Sequence, residues 1–133
     1  MRVVFADAFY FVARLNRHDQ HHDRVVAFSR DFRAAILTTD LVLMEVADAL
    51  AKSESRPRMR EFVLHLRQQA ACEIIPATRE LFDSALELYR QHADKDWTLT
   101  DCSSVFVLRE RGLTEVLTAD RHFEQAGFTA LLR

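Results

Sequence analysis

Two rhythms of apolar and polar positions alternate along this chain. "VVFA" (Val3 to Ala6) is a continuous apolar run, the pattern of a short strand buried on both faces. "DAFYFVARL" follows at once with apolar residues three and four apart, so the spacing predicts a strand feeding a helix through Asp7. The same reading gives a helix over His21 to Arg33, a second strand at "AILTT" (35–39) and a helix over "LVLMEVADALAK" (41–52). Arg58 to Ala70 and Arg79 to His92 carry two more amphipathic patterns, separated by the strand-like "CEIIPA". Cys102 to Arg111 is helical, and Gly112 is placed to stop it. "EVLTA", a short helix over Arg121 to Gln125, and a last strand "FTALL" complete the chain. The polar stretches "NRHDQHHD", "KSESRPR" and "HADKDW" mark connections.

Strands alternating with helices predict an α/β fold, a mostly parallel sheet with helices on both faces. Sheets of this kind bind ligands outside the carboxyl ends of their strands. Asp7 follows "VVFA", Asp120 follows "EVLTA", Asp101 opens the helix before that strand, and Glu45 lies one turn into the helix after "ILTT". A sheet that brings these elements together aims four carboxylates at one point. Each acid also has a local reading: Asp is a favoured N-cap, Thr98 with Asp101 fits a capping box, and Asp40 stands where it would cap the helix that carries Glu45. Glu45 resists that reading, because its neighbours in "LVLMEVADAL" are apolar almost all round and its carboxylate would be partly buried. Taken together, two carboxylates about 4 Å apart repel by on the order of 4 kcal/mol at an effective dielectric near 20. Mg²⁺ or Mn²⁺, which take carboxylate oxygens, would remove that cost.

Composition narrows the choice. A chain of 133 residues with a 49% hydrophobic share is expected to form one domain, residues 1–133, around a covered core. A net charge of −2 supplies no global field for holding a long nucleic acid, so an anionic substrate must be gripped locally. Cys72 and Cys102 fit neither a disulfide framework nor a metal knuckle, and no segment reads as a signal or a membrane span, so the expected location is the cytoplasm. With only Gly112 and Gly127, neither GxGxxG nor GxxxxGK[ST] can be written, which removes the usual nucleotide loops. No Ser-His-Asp or Cys-His arrangement can be defended. Ser103 and Ser104 are expected to pack or bond within their helix.

The segments "FADAFYFVARLNRHDQHH", "TTDLVLMEVADAL", "DKDWTLTDCSSVFVLRERG" and "LTADRHFEQAGF" together resemble the PIN-domain proteins, and within them the branch of VapC-type toxin ribonucleases. The resemblance rests on order: an early Asp after the first strand, a mid-chain Glu on a helix, a late Asp opening a helix, and T-x-D next to a Phe. It implies a three-layer α/β/α sandwich with a mostly parallel five-stranded sheet and an acidic tetrad of Asp7, Glu45, Asp101 and Asp120 that binds Mg²⁺ or Mn²⁺. The implied activity is cleavage of RNA by a metal-dependent endoribonuclease that leaves a 5′-phosphate. Implied partners are an RNA substrate, a cognate antitoxin and a second copy in a homodimer; the amphipathic Arg58 to Arg67 suits a dimer face and the protein's own core equally well. Arg121 and His122, next to Asp120, are the candidate RNA contacts, and Asp96 is a candidate acceptor beside the metal ligands. Trp97 either stacks a base or lids the core, Phe123 belongs to the core, and the histidines of "RHDQHHDR" form a solvated loop in preference to a zinc site. A haloacid-dehalogenase-type phosphatase would need a second Asp where the chain has Phe9, and a phospho-receiver an acidic pair where "FADAF" has one acid. The remaining alternative is a PIN-like module that binds RNA or protein without turnover.

Overall fold

The apolar run at the N-terminus forms β1 (Val3–Ala6), and the chain adds β2 (Ala35–Thr39), β3 (Cys72–Ile75), β4 (Glu115–Leu117) and β5 (Thr129–Ala130). The helices are α1 (Ala8–Leu15), α2 (His22–Asp31), α3 (Asp40–Ala49), α4 (Met59–Gln68), α5 (Arg79–Gln91), α6 (Leu99–Arg111) and α7 (Arg121–Gln125), with a 3-10 turn at Arg56–Arg58 before α4. The structure is a computed structural model and describes residues 1–133. All strands pair in parallel in the order β3-β2-β1-β4-β5. Val4, Phe5 and Ala6 on the central strand are fully buried, which requires helices on both faces of the sheet. The result is the expected three-layer α/β/α sandwich. No helix is long and apolar enough to cross a membrane.

Strand order locates the crevice. From β1 the chain steps to β2 and β3 on one side, then returns across β1 to β4 and β5 on the other. Right-handed crossovers on either side of that reversal put their helices on opposite faces, which opens a cleft at the carboxyl ends of β1 and β4. Register holds the two strands level there, with Phe5 opposite Val116 and Ala6 opposite Leu117.

Several boundaries differ from the periodicity, each for a local reason. α6 starts at Leu99, a turn earlier than the apolar pattern, because Thr98 caps it: its hydroxyl accepts from the Asp101 N–H while the Asp101 carboxylate accepts from the Thr98 N–H. Asp101 is therefore the third helical residue and does not open the helix. Thr39 caps α3 through a 3.0 Å bond from the Val42 N–H, leaving Asp40 as the first helical residue. Thr39 takes the cap because it ends β2 in an extended conformation, as a cap requires, and Asp40 instead accepts from the Ala77 N–H at 3.3 Å. Pairing in β4 ends at Leu117, since Thr118 turns its hydroxyl away toward the crevice. Gly112 ends α6 as expected, in the left-handed region at φ 64°, where a residue without a Cβ is unstrained.

The apolar face of α4 is used inside the protein: Leu66 is buried and Phe62 and Val63 pack against the core. Arg58 to Arg67 therefore offers no spare apolar stripe to a second copy. Such a stripe lies on α5, where Phe82, Leu86 and Tyr89 remain about half exposed at helical spacing.

Candidate active site

Asp7, the first residue beyond β1, is held in the crevice by the backbone of β4 and by Thr118. Its N–H reaches Leu117 O at 3.4 Å, and its Oδ2 accepts the Thr118 hydroxyl at 2.9 Å. Thr118 is fully buried, and the same hydroxyl oxygen accepts the Asp120 N–H at 3.0 Å. One hydroxyl thus joins the acid after β1 to the acid after β4. Thr38 performs a related task one strand over, donating at 2.9 Å to Ala6 O, the last carbonyl of β1. Asp120 in turn caps α7 through Oδ1, which accepts from the His122 N–H at 2.9 Å.

Asp101 reaches the same region from the first turn of α6, only 9% of its side chain exposed. Its Oδ2 accepts the Thr98 N–H at 3.0 Å and lies 3.0 Å from Nδ1 of His122. That ring nitrogen also lies 3.4 Å from Oδ1 of Asp120. Asp101, Asp120 and His122 form the one group of three or more metal-competent side chains whose ligand atoms converge, all within 4.8 Å.

The electrostatics tie the remaining acids to this group. Burial lifts the Asp7 carboxyl to about 7, a rise opposed by its hydrogen bonds to the Ala8 backbone and Thr118 and reinforced by the charges of Glu45 and Asp101. Glu45 is half-buried on α3, and its carboxyl is raised first by burial, then by Asp101, Asp120 and Asp48. The partial burial expected of Glu45 from its apolar neighbours is observed. Asp7 thus feels Glu45 and Asp101, and Glu45 feels Asp101 and Asp120, which links the four acids named from the sequence, and no Lys or Arg forms an ion pair with any of them. A cluster of carboxylates beside one imidazole, two of the acids raised by burial and by their neighbours' charge, fits a hard divalent cation.

The other residues named from the sequence are distributed differently. Arg121 is exposed at the start of α7 and makes no ion pair. His122 turns inward onto the acids. Asp96 is exposed and makes no hydrogen bond to the cluster; the positions beside Asp101 are taken by the Thr98 N–H and His122. Trp97 is a packing residue, 5% exposed, its indole donating to Gln125 Oε1 at 3.1 Å and its ring 4.6 Å from that of His92. It thereby braces α7 against the turn that leads into α6. Phe123 is fully buried in the core. Ser103 bonds back to Thr100 O at 2.6 Å, and Ser104 is buried with its hydroxyl unpartnered. The histidines of "RHDQHHDR" scatter: His18 meets Glu54 at 3.3 Å, His21 packs tilted against the Phe9 ring, and His22 Nδ1 meets Ala13 O at 2.7 Å.

An open groove of about 1240 Å³ runs between the end of α5 and the connection to α6, lined in part by Leu86, Tyr89, Trp97 and Leu99. None of the four acids lines it.

The structure therefore sets an acid-lined crevice at the switch point of a parallel α/β/α sandwich. The family model of the PIN domain matches residues 4–129. The chain belongs to the PIN-domain family. The 23S rRNA-specific endonuclease VapC20 of Mycobacterium tuberculosis (strain CDC 1551 / Oshkosh) is 22% identical over 126 residues, covering 95% of each chain. The crystal structure of M. tuberculosis VapC20, described as a sarcin-ricin loop cleaving toxin, aligns with a TM-score of 0.85 at 21% identity, covering 98% of this chain and 99% of that one. VapBC2 of Rickettsia felis, bound to a DNA fragment from its promoter, aligns with a TM-score of 0.61 at 14% identity over 96% of each chain. The VapC-type likeness read from the sequence thus extends over the whole fold.

Proposed function

We propose that this protein is a divalent-metal-dependent endoribonuclease of the VapC type, the toxin of a toxin–antitoxin pair, with Asp7, Glu45, Asp101 and Asp120 as its acidic centre. The observation that carries the reading is the meeting of four acids from four separate elements at one switch point, with no basic side chain ion-paired to them. Mutual repulsion of that kind favours a cation, Mg²⁺ or Mn²⁺ by the donor chemistry. Such an ion, when bound, lowers the pKa of a water it holds and offsets charge developing on phosphate oxygens. The protein's own part is to orient. Thr118 fixes Asp7 relative to Asp120, the capping box fixes Asp101, and the rigid first turns of α3 deliver Glu45. Arg121, exposed beside Asp120 with no internal partner, supplies a phosphate contact on the RNA.

An antitoxin is the proposed protein partner, in keeping with the toxin–antitoxin complexes among the structural relatives. The stripe of Phe82, Leu86 and Tyr89 is proposed as a homodimer face; Asp83 and Arg90 flank it, so antiparallel pairing of two α5 helices sets opposite charges against each other. Free Cys72 and Cys102 suit a reducing cytoplasm.

Cleavage of a mixed pool of structured and unstructured RNAs tests the reading. Wild-type protein should cut with Mg²⁺ or Mn²⁺, stop with chelator, and gain about 2.7 kcal/mol of stability at a hundredfold excess of Mn²⁺ over its dissociation constant. Asp101→Asn, which preserves the acceptor in the capping box, should fold normally yet lose cleavage. A well-folded Asp101→Asn protein that cuts at the wild-type rate would remove Asp101 from the centre. Metal-independent RNA binding without cleavage would favour the non-catalytic PIN-like module.

A further inference from the structure

We infer that His122 is a direct nitrogen ligand of the divalent ion and biases the site toward Mn²⁺ over Mg²⁺. The inference rests on the metal-dependent reading above and adds a ligand to its acidic centre. His122 does not face solvent as the basic neighbour of an RNA-binding Arg would. Its Nδ1 points between two carboxylates, 3.0 Å from Asp101 Oδ2 and 3.4 Å from Asp120 Oδ1, with only 22% of the side chain exposed. These spacings match the chemistry of a six-coordinate ion: ligands about 2.1 Å from a common centre stand about 3 Å from their neighbours.

The position of the ring is set by packing. Asp120 caps α7 through the His122 N–H, which fixes the backbone at His122, and buried Phe123 follows it into the core. Trp97 then clamps α7 to the approach to α6 through Gln125, so the imidazole and Asp101 are presented by two braced elements. Packing has therefore already covered much of the ordering cost of bringing a nitrogen to this point. A neutral imidazole with its proton on Nε2 would leave the Nδ1 lone pair free to take a cation.

A nitrogen donor changes selectivity. All-oxygen sites suit Mg²⁺ and Mn²⁺ alike, whereas imidazole strengthens binding of transition ions far more than of Mg²⁺. If His122 merely steadied Asp101 by a hydrogen bond, its loss would weaken both ions equally.

The test loads wild-type, His122→Asn and Asp101→Asn proteins with stoichiometric Mn²⁺ and reads the ion by pulsed electron paramagnetic resonance, alongside calorimetric titration with Mn²⁺ and with Mg²⁺. Asparagine retains a hydrogen-bond donor toward Asp101 but no ring nitrogen. Wild type should show a directly bound nitrogen, and His122→Asn should lose it, with Mn²⁺ affinity falling at least about tenfold and Mg²⁺ affinity changing less than about threefold. Wild-type Mn²⁺ with an all-oxygen signature, or an equal loss for both ions in His122→Asn, would overturn the assignment while leaving the metal-dependent reading intact. Absence of Mn²⁺ binding by wild type would overturn both.

Discussion

Asp7 offers the most quantitative check on the electrostatics of the crevice. Its carboxyl is raised from 3.8 to about 7, chiefly by burial. Between those values the folded protein holds a proton that the unfolded chain has released, so metal-free stability must fall as pH rises and level off above about pH 7. This is the reverse of a salt-bridged carboxylate, which stabilises more at higher pH. At about 1.4 kcal/mol per pKa unit, the titration of Asp7 alone should remove roughly 2.5 kcal/mol between pH 5 and pH 7.5. For a chain of this length that corresponds to about 8–12 °C in melting temperature. Asp7→Asn keeps the shape and an acceptor for the Thr118 hydroxyl but cannot ionise. Urea unfolding in chelator should therefore show the variant gaining on wild type by roughly 2.5 kcal/mol as pH goes from 5 to 7.5, and because the comparison is a difference of differences, distant titrating groups cancel. A variant whose stability runs parallel to wild type within about 0.5 kcal/mol over that range would refute the reasoning, since Asp7 would then ionise as an ordinary exposed acid.

Thr118→Val removes a buried hydroxyl that serves Asp7 and Asp120 at once, so it should cost about 2–3 kcal/mol and depress cleavage, with Thr118→Ser restoring most of both; urea denaturation and a cleavage assay check it. Arg121→Ala should weaken RNA binding and reduce the slope of log affinity against log salt by nearly one, leaving Mn²⁺ binding unchanged. If α5 carries the proposed dimer face, Leu86→Glu in its exposed stripe should convert that dimer to a monomer by light scattering without lowering the melting temperature of the monomer.

Much of the fold could be read from the chain because its periodicities are unmixed. "VVFA" is apolar on every position since β1 sits at the centre of the sheet. The errors fall at the ends of elements, where a single hydroxyl decides. Thr39 rather than Asp40 caps α3, and Thr98 extends α6 by a turn that carries no apolar signal. The edge strand β5 spans only two residues of the five in "FTALL", because an edge has one neighbour and its pairing lapses once the chain turns. Strand order was not available from periodicity at all; it depends on which crossovers the helices make, and it is the order that creates the crevice.

The site shows why local and functional readings of an acid need not compete. The pattern around Asp101 supports a capping box and a place in an acidic cluster, and the structure satisfies the first with one oxygen: Oδ2 accepts the Thr98 N–H and meets His122, while Oδ1 makes no protein hydrogen bond. Asp120 divides its work in the same way, with Oδ1 on the His122 N–H and Oδ2 uncommitted. A cap orients its carboxylate rigidly, so the remaining oxygen is aimed without further support. The acids were therefore visible in sequence through their local roles, but the residues that set their mutual geometry were less so. Thr118 lies two residues before Asp120, a spacing at which a hydroxyl accepts the N–H of the later residue, and that half of its role was legible in T-x-D. Its other half, the bond to Asp7 across 111 positions of chain, exists only once β1 and β4 are neighbours. The same holds in part for His122: Asp120 and Phe123 within "DRHF" fix its backbone, but the brace between Trp97 and Gln125 that sets α7 against Asp101 lies outside that stretch.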